Sequence, residues 1–150
     1  MKNILIVLFL AFSVAANGQT EQTHLPASTS VVGIWRQTGV VNPSTGAYMG
    51  LLSGNYKVIN PDGTYFTFVS WGTKDPKKGT TIGQYGTYEI KSDSTFVEHI
   101  TKHTIDPKLN GTSGLLKYKL VDKKTLMVAW KNSNEIWINE EWTRLPLSRQ

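Results

Sequence analysis

From residue 31 onward the chain never sustains an apolar repeat at helical spacing. Instead, short runs rich in Val, Ile, Thr, Tyr, Phe and Trp recur, each bounded by Gly, Asn, Asp, Pro or Ser. This is the pattern of β-strands separated by turns. Eight runs stand out: 31–38, 54–59, 64–71, 82–91, 95–103, 115–121, 125–131 and 135–145. A chain of many short strands with no helix buries its apolar faces in a sandwich or in a barrel.

The connections separate these two architectures. Segments 60–63, 92–94 and 122–124 are tight turns built from Asn, Pro, Asp, Gly, Ser and Lys. Segments 39–53, 72–81 and 104–114 are long, and the two kinds alternate up to the seventh run, 125–131. In an up-and-down barrel successive connections lie at opposite ends, so the tight turns share one end and the long loops the other. A Greek-key sandwich gives no reason for the alternation. The expected fold is therefore all-β: an eight-stranded, up-and-down antiparallel barrel with a closed base and a loop-rimmed mouth. Eight strands leave an interior just wide enough for side chains or one small ligand.

A chain of 150 residues is the size of one domain. It has no cysteine, which excludes a disulfide framework, Cys-ligated zinc and a thiol nucleophile. The net charge of +5 comes mostly from scattered lysines, apart from the short run 74–78. A nucleic-acid partner requires basic residues gathered on one face, so none is expected. Residues 1–18 read as a signal peptide. Lys2 supplies the positive start, 4–14 the short apolar run, and Ala15, Ala16 and Gly18 the small residues before cleavage. Cleavage after Gly18 is expected, or after Ala16. Residues 19–30 form a polar leader and 31–146 the barrel domain. No second apolar stretch is long enough to span a bilayer. The mature protein is expected to be periplasmic or secreted, with a charge of +4 from 15 basic and 11 acidic residues.

Side chains alternate across a strand, so the lysines assign faces. Leu116, Tyr118 and Leu120 are expected inside, with Lys117 and Lys119 outside. Lys57 is expected outside, so Tyr56 and Val58 are expected inside. Gly86, Tyr88 and Ile90 oppose Glu89 and Lys91. Phe66 and Phe68, and Leu126, Val128 and Trp130, are expected to face the lumen. Two strands carry charge on their apolar faces. Glu98 shares a face with Phe96 and Ile100, and Glu140 and Arg144 share one with Ile136, Ile138 and Trp142. Burying a charge costs several kcal/mol unless it is paired and hydrogen-bonded. Arg144 is therefore expected to meet Glu140, Glu98 or backbone carbonyls at the base.

Gly33-Ile34-Trp35 in the first strand and Trp142-Thr143-Arg144 in the last resemble the lipocalins and their calycin relatives. The resemblance implies that Trp35 closes the barrel base and that Arg144 packs over it. The topology makes the same two residues neighbours, since the first and last strands must pair to close the barrel. The chain is also similar to short secreted lipocalin-like domains of gut-type bacteria, a family of unknown function. The likeness runs through Tyr56-Lys57-Val58-Ile59, Asp62-Gly63-Thr64, Gly86-Thr87-Tyr88-Glu89-Ile90, Phe96-Val97-Glu98 and Glu141-Trp142-Thr143-Arg144.

No catalytic motif accompanies these features. Gly-x-Ser-x-Gly, His-Glu-x-x-His and phosphate-loop patterns are all missing from the sequence. His99 and His103 lie on one strand, where four residues span roughly 13 Å, so no shared metal and no cofactor are expected. Five Trp and six Tyr are the stronger clue. Tyr56, Tyr88, Tyr118 and Trp130, with Glu98 and Glu140 as polar handles, are the expected ligand-lining residues for a small apolar or aromatic molecule. The alternative is a solid barrel whose mouth loops contact or inhibit another exported protein. That reading expects exposed apolar residues in 39–53, such as Tyr48, Met49, Leu51 and Leu52. Enzymatic activity is not expected.

Overall fold

The computed structural model describes residues 30–51, 54–71 and 79–146. The expected signal peptide, the expected leader up to residue 29, Leu52, Lys74, Lys77 and Lys78 lie outside the described residues. The strands are β1 Gly33–Val41, β2 Tyr48–Gly50, β3 Asn55–Ile59, β4 Thr64–Ser70, β5 Thr80–Ile90, β6 Thr95–His103, β7 Ser113–Leu120, β8 Thr125–Lys131 and β9 Trp137–Arg144. Among the described residues the helical content is one short 3-10 turn, Pro107–Leu109.

Every neighbouring pair is antiparallel, and β1 pairs with β9 to close the sheet. The result is a closed eight-stranded up-and-down barrel. The three-residue β2 is an addition on the upper part of the β1 edge that β3 leaves free: residues 33–36 pair with β3, and 39–41 with β2. It falls inside the long 39–53 connection, where its brevity and its glycine gave no strand signal.

The three tight turns 60–63, 92–94 and 122–124 do share one end, whereas the short β8–β9 connection, closed by the Asn132 and Ile136 backbone, lies at the other. Asp62 ties the first by accepting from the Thr64 backbone N–H and hydroxyl at 2.9 and 2.6 Å. These bonds hold its carboxyl below the usual range. Asp122 does the same in the third, accepting from the Lys124 and Thr125 amides, both at 2.7 Å. Tyr88 and Tyr118 lean to this end and donate to the carbonyls of Asn60 and Ser92 at 2.7 and 3.1 Å. Between them stands Phe96, edge-on to Tyr88. With Val31, Ile59, Leu116, Leu126, Val128 and Trp142 they form the core.

Close approach of chains sets one glycine. At Gly86 the β5–β6 register shifts, and an added Cβ would lie 1.9 Å from the His99 carbonyl oxygen. Only a residue without a side chain fits that crossing.

The face assignments divide. β7 and β8 follow the expectation: Leu116, Leu126 and Val128 are buried while Lys117 and Lys119 are exposed, and β6, whose facing the sequence left open, turns Phe96 and Glu98 inward. β3 and β4 do not. Lys57 and Ile59 are buried, so Tyr56 and Val58 face outward. On β4 the buried residue is Tyr65, so Phe66 and Phe68 face outward as well. There Tyr56 stacks on Phe68 at 4.8 Å in an outer aromatic strip. The lysine was assigned outward on the cost of burying its charge; a carboxylate across the lumen removes that cost. Ile90 shares the inward face of Phe96 but sits open at the base, exposed to solvent.

Candidate functional site

Gly33 has a φ of 149°, which side chains rarely adopt, and a Cβ there would meet Arg144 Nη1 at 2.6 Å. The glycine thus makes room for the guanidinium, whose Cζ lies 4.1 Å from the centroid of the Trp35 ring. Arg144 donates to the carbonyls of Val32, Ser30 and Lys123 at 2.5, 2.6 and 3.1 Å. Of the three partners considered for Arg144, it meets the backbone carbonyls and neither carboxylate. Trp35 is fully buried, and its indole donates to the Val31 carbonyl at 2.7 Å. The first and last strands are therefore tied at the base.

Above this floor the lumen turns polar. Lys57 Nζ meets Glu98 Oε1 at 2.5 Å, with the two residues 8% and 5% exposed. Gln84 Nε2 bridges Glu98 Oε2 at 3.2 Å and the Tyr65 hydroxyl at 2.5 Å. The ammonium also lies 5.5 Å from the Tyr65 ring and 6.0 Å from the Trp142 ring. Nearby, the Asn55 amide donates to buried Gln37. No buried side-chain polar atom among the described residues lacks a partner. A buried polar network satisfied in this way holds one arrangement.

Burial, and then the Glu98 charge, raise the Tyr65 phenol far above its ordinary value. Burial also raises Tyr88 and Tyr118, and a hydrogen bond to Glu141 raises Tyr48. A raised phenol favours the protonated form in the folded state. Its contribution to stability is full below the unfolded tyrosine value of about 10 and is lost as pH rises beyond it. The barrel is therefore expected to unfold cooperatively in strong alkali. Tyr65 should show no tyrosinate absorbance until the circular dichroism of the folded state is lost.

Toward the mouth the third charged side chain enters. Glu140 stands opposite Val128 on the inner face. Its carboxylate accepts from two indoles, Trp130 Nε1 on Oε1 and Trp142 Nε1 on Oε2, both at 3.0 Å. Trp142 is buried, whereas Trp130, on the same inward face, is 37% exposed.

The expected ligand-lining set is thus divided. Glu98, Trp130 and Glu140 face the lumen. Tyr88 and Tyr118 brace the base turns, and Tyr56 is on the outer wall. Lys57, Tyr65, Gln84 and Gln37 were not foreseen. The available signal was Glu98 itself: an inward carboxylate needs an inward cation. The histidines stay separate. His99 is exposed with Nδ1 2.8 Å from the Ser113 hydroxyl, and His103 Nδ1 accepts from the Asp106 amide. Among the described residues no cluster of three or more His, Cys, Asp or Glu is placed to hold a metal, and no helix is long and apolar enough to cross a membrane. Trp137 lies outside beneath Lys117 and Lys131, 4.3 and 5.7 Å from its ring.

Closed antiparallel barrel and sealed base place this chain among the all-β barrel proteins. Within that class it belongs to the family described as "Domain of unknown function (DUF4488)", which matches residues 30–150. No curated protein matches it. A solved structure described as a redesigned beta barrel is similar at 16% identity and a TM-score of 0.47, over 77% of this chain and 91% of that one.

Proposed function

We propose that the protein is an exported, non-enzymatic binding protein of lipocalin-like type. Its site is the upper half of the barrel, above the Lys57–Glu98 network, and its ligand is a small molecule with an apolar or aromatic body. The observation that carries this reading is the change of character along the lumen. The base is packed by Trp35, Phe96 and Leu126, each at most 1% exposed, while inward-facing Trp130 near the mouth stays 37% open. A Cβ added at Gly114, opposite Glu98 on the inner face, would meet nothing within 4 Å. A polar floor beneath an accessible indole combines the apolar surface and the few placed polar groups that a small-molecule site uses.

A second reading has its own support. Tyr48 and Met49 on β2 are 53% and 45% exposed, and Ile105 and Leu109 are exposed on the 104–112 loop. Such tips suit a protein partner. Native mass spectrometry of the protein taken from its natural source separates the two. A small added mass that is lost on denaturation is the expected result. A bare chain overturns the ligand reading, and a complex with a second polypeptide favours the loops.

A further inference from the structure

We infer that the ligand of this barrel is a cation: an amine or quaternary ammonium on an apolar or aromatic body. This rests on the proposed cup and names the chemistry of its occupant. Among the described residues, three charges line the lumen above the Arg144 floor. Lys57 is spent on Glu98. Glu140 forms no ion pair among the described residues; both its recorded partners are neutral indole N–H groups. The upper lumen therefore holds one carboxylate in excess, half-buried, where solvent screens it less than at the surface.

The aromatic groups are arranged for the same purpose. Each indole gives its N–H edge to Glu140, which fixes the orientation of the Trp130 ring beside the carboxylate. Trp130 is the exposed member and Trp142 the buried one, so the ring that a ligand meets first is Trp130. A cation seated against the Trp130 ring and Glu140 gains charge–charge and cation–π attraction together. An anion meets an unneutralised carboxylate, and a neutral ring gains only burial. Lys57 already shows the preference lower in the lumen, with its ammonium near a carboxylate and two aromatic rings.

Three probes of like shape test this: phenethylamine, 2-phenylethanol and 3-phenylpropionate. Their affinities are measured by titration calorimetry, with the indole N–H signals of Trp130 and Trp142 followed by NMR. The amine is expected to bind about tenfold tighter than the alcohol, to shift the Trp130 signal, and to outrank the acid by more. Glu140→Gln keeps a hydrogen-bond acceptor and is expected to erase the amine preference while leaving alcohol binding in place. Trp130→Leu keeps the carboxylate and should weaken all three probes, which serves if the first variant folds poorly. Equal or tighter binding of the alcohol or acid overturns the cation inference and leaves the cup standing. Binding of none of the three overturns the cup itself.

Discussion

Lys57→Met is expected to destabilise the barrel by about 3–5 kcal/mol, the cost of leaving a buried charge without its partner. Glu98, 5% exposed, would keep only neutral donors, the Tyr65 hydroxyl and the Gln84 amide, whose Nε2 lies 3.2 Å from its Oε2. That amide is neutral and is already shared with the Tyr65 hydroxyl. Urea denaturation should show a lower midpoint with an unchanged slope, since the surface exposed on unfolding is the same. Removing both charges gives the sharper result. Lys57→Met with Glu98→Leu is expected to be more stable than Lys57→Met alone, because a buried pair replaced by apolar groups of similar volume is often neutral or better. A single-variant cost under about 1 kcal/mol would place the pair with ordinary surface ion pairs and refute its burial.

The existence of this pair shows where a sequence stops being legible. The strand count, the alternation of tight and long connections, and the closed barrel all follow from local patterns, and local patterns survive into the structure. Facing on β6 stayed open, since Phe96 and Ile100 share their face with Glu98, whereas facing on β7 was readable because Leu116, Tyr118 and Leu120 oppose two lysines. Facing on β3 was not. Tyr56, Lys57, Val58 and Ile59 offer an apolar face whichever way the strand turns, and the decision lies with Glu98, 41 residues away. A rule that sends a lone lysine to solvent fails whenever a distant carboxylate is inside. On β4 the same ambiguity arises, since Tyr65 and Phe66 are both large aromatic residues. Once Lys57 turns inward, cross-strand register carries Tyr65 with it opposite Ile59.

The site shows the same division. Glu98, Glu140 and Trp130 were identifiable because charge or size on an apolar face demands a reason. Tyr88 and Tyr118 stand on the expected face, and their phenols reach turn carbonyls that the sequence did not point to. Alternation tells which side a ring takes; it does not tell that a phenol reaches a turn carbonyl. Base closure was the most legible feature, since Gly33, Trp35 and Arg144 combine a conformational, a volume and a charge requirement at the two chain ends that must pair.

Trp35→Ala is expected to cost about 3–5 kcal/mol, at the upper end for a core truncation. The ring is fully buried, so its removal leaves a cavity that the sealed base has little freedom to collapse. The loss is larger than volume alone. The Val31 carbonyl loses its indole donor, and the Arg144 guanidinium loses the ring beneath it while its own three carbonyl bonds must hold unsupported. Arg144→Lys separates these parts. An ammonium keeps the charge but lacks the planar fork that serves Ser30, Val32 and Lys123 together. It should therefore destabilise by about 1–3 kcal/mol. If the ring contact and the carbonyl bonds act as one latch between β1 and β9, the double variant will cost less than the two singles added, by about 0.5–3 kcal/mol of coupling. Strict additivity would mean that Trp35 only fills space and that Arg144 closes the barrel without it.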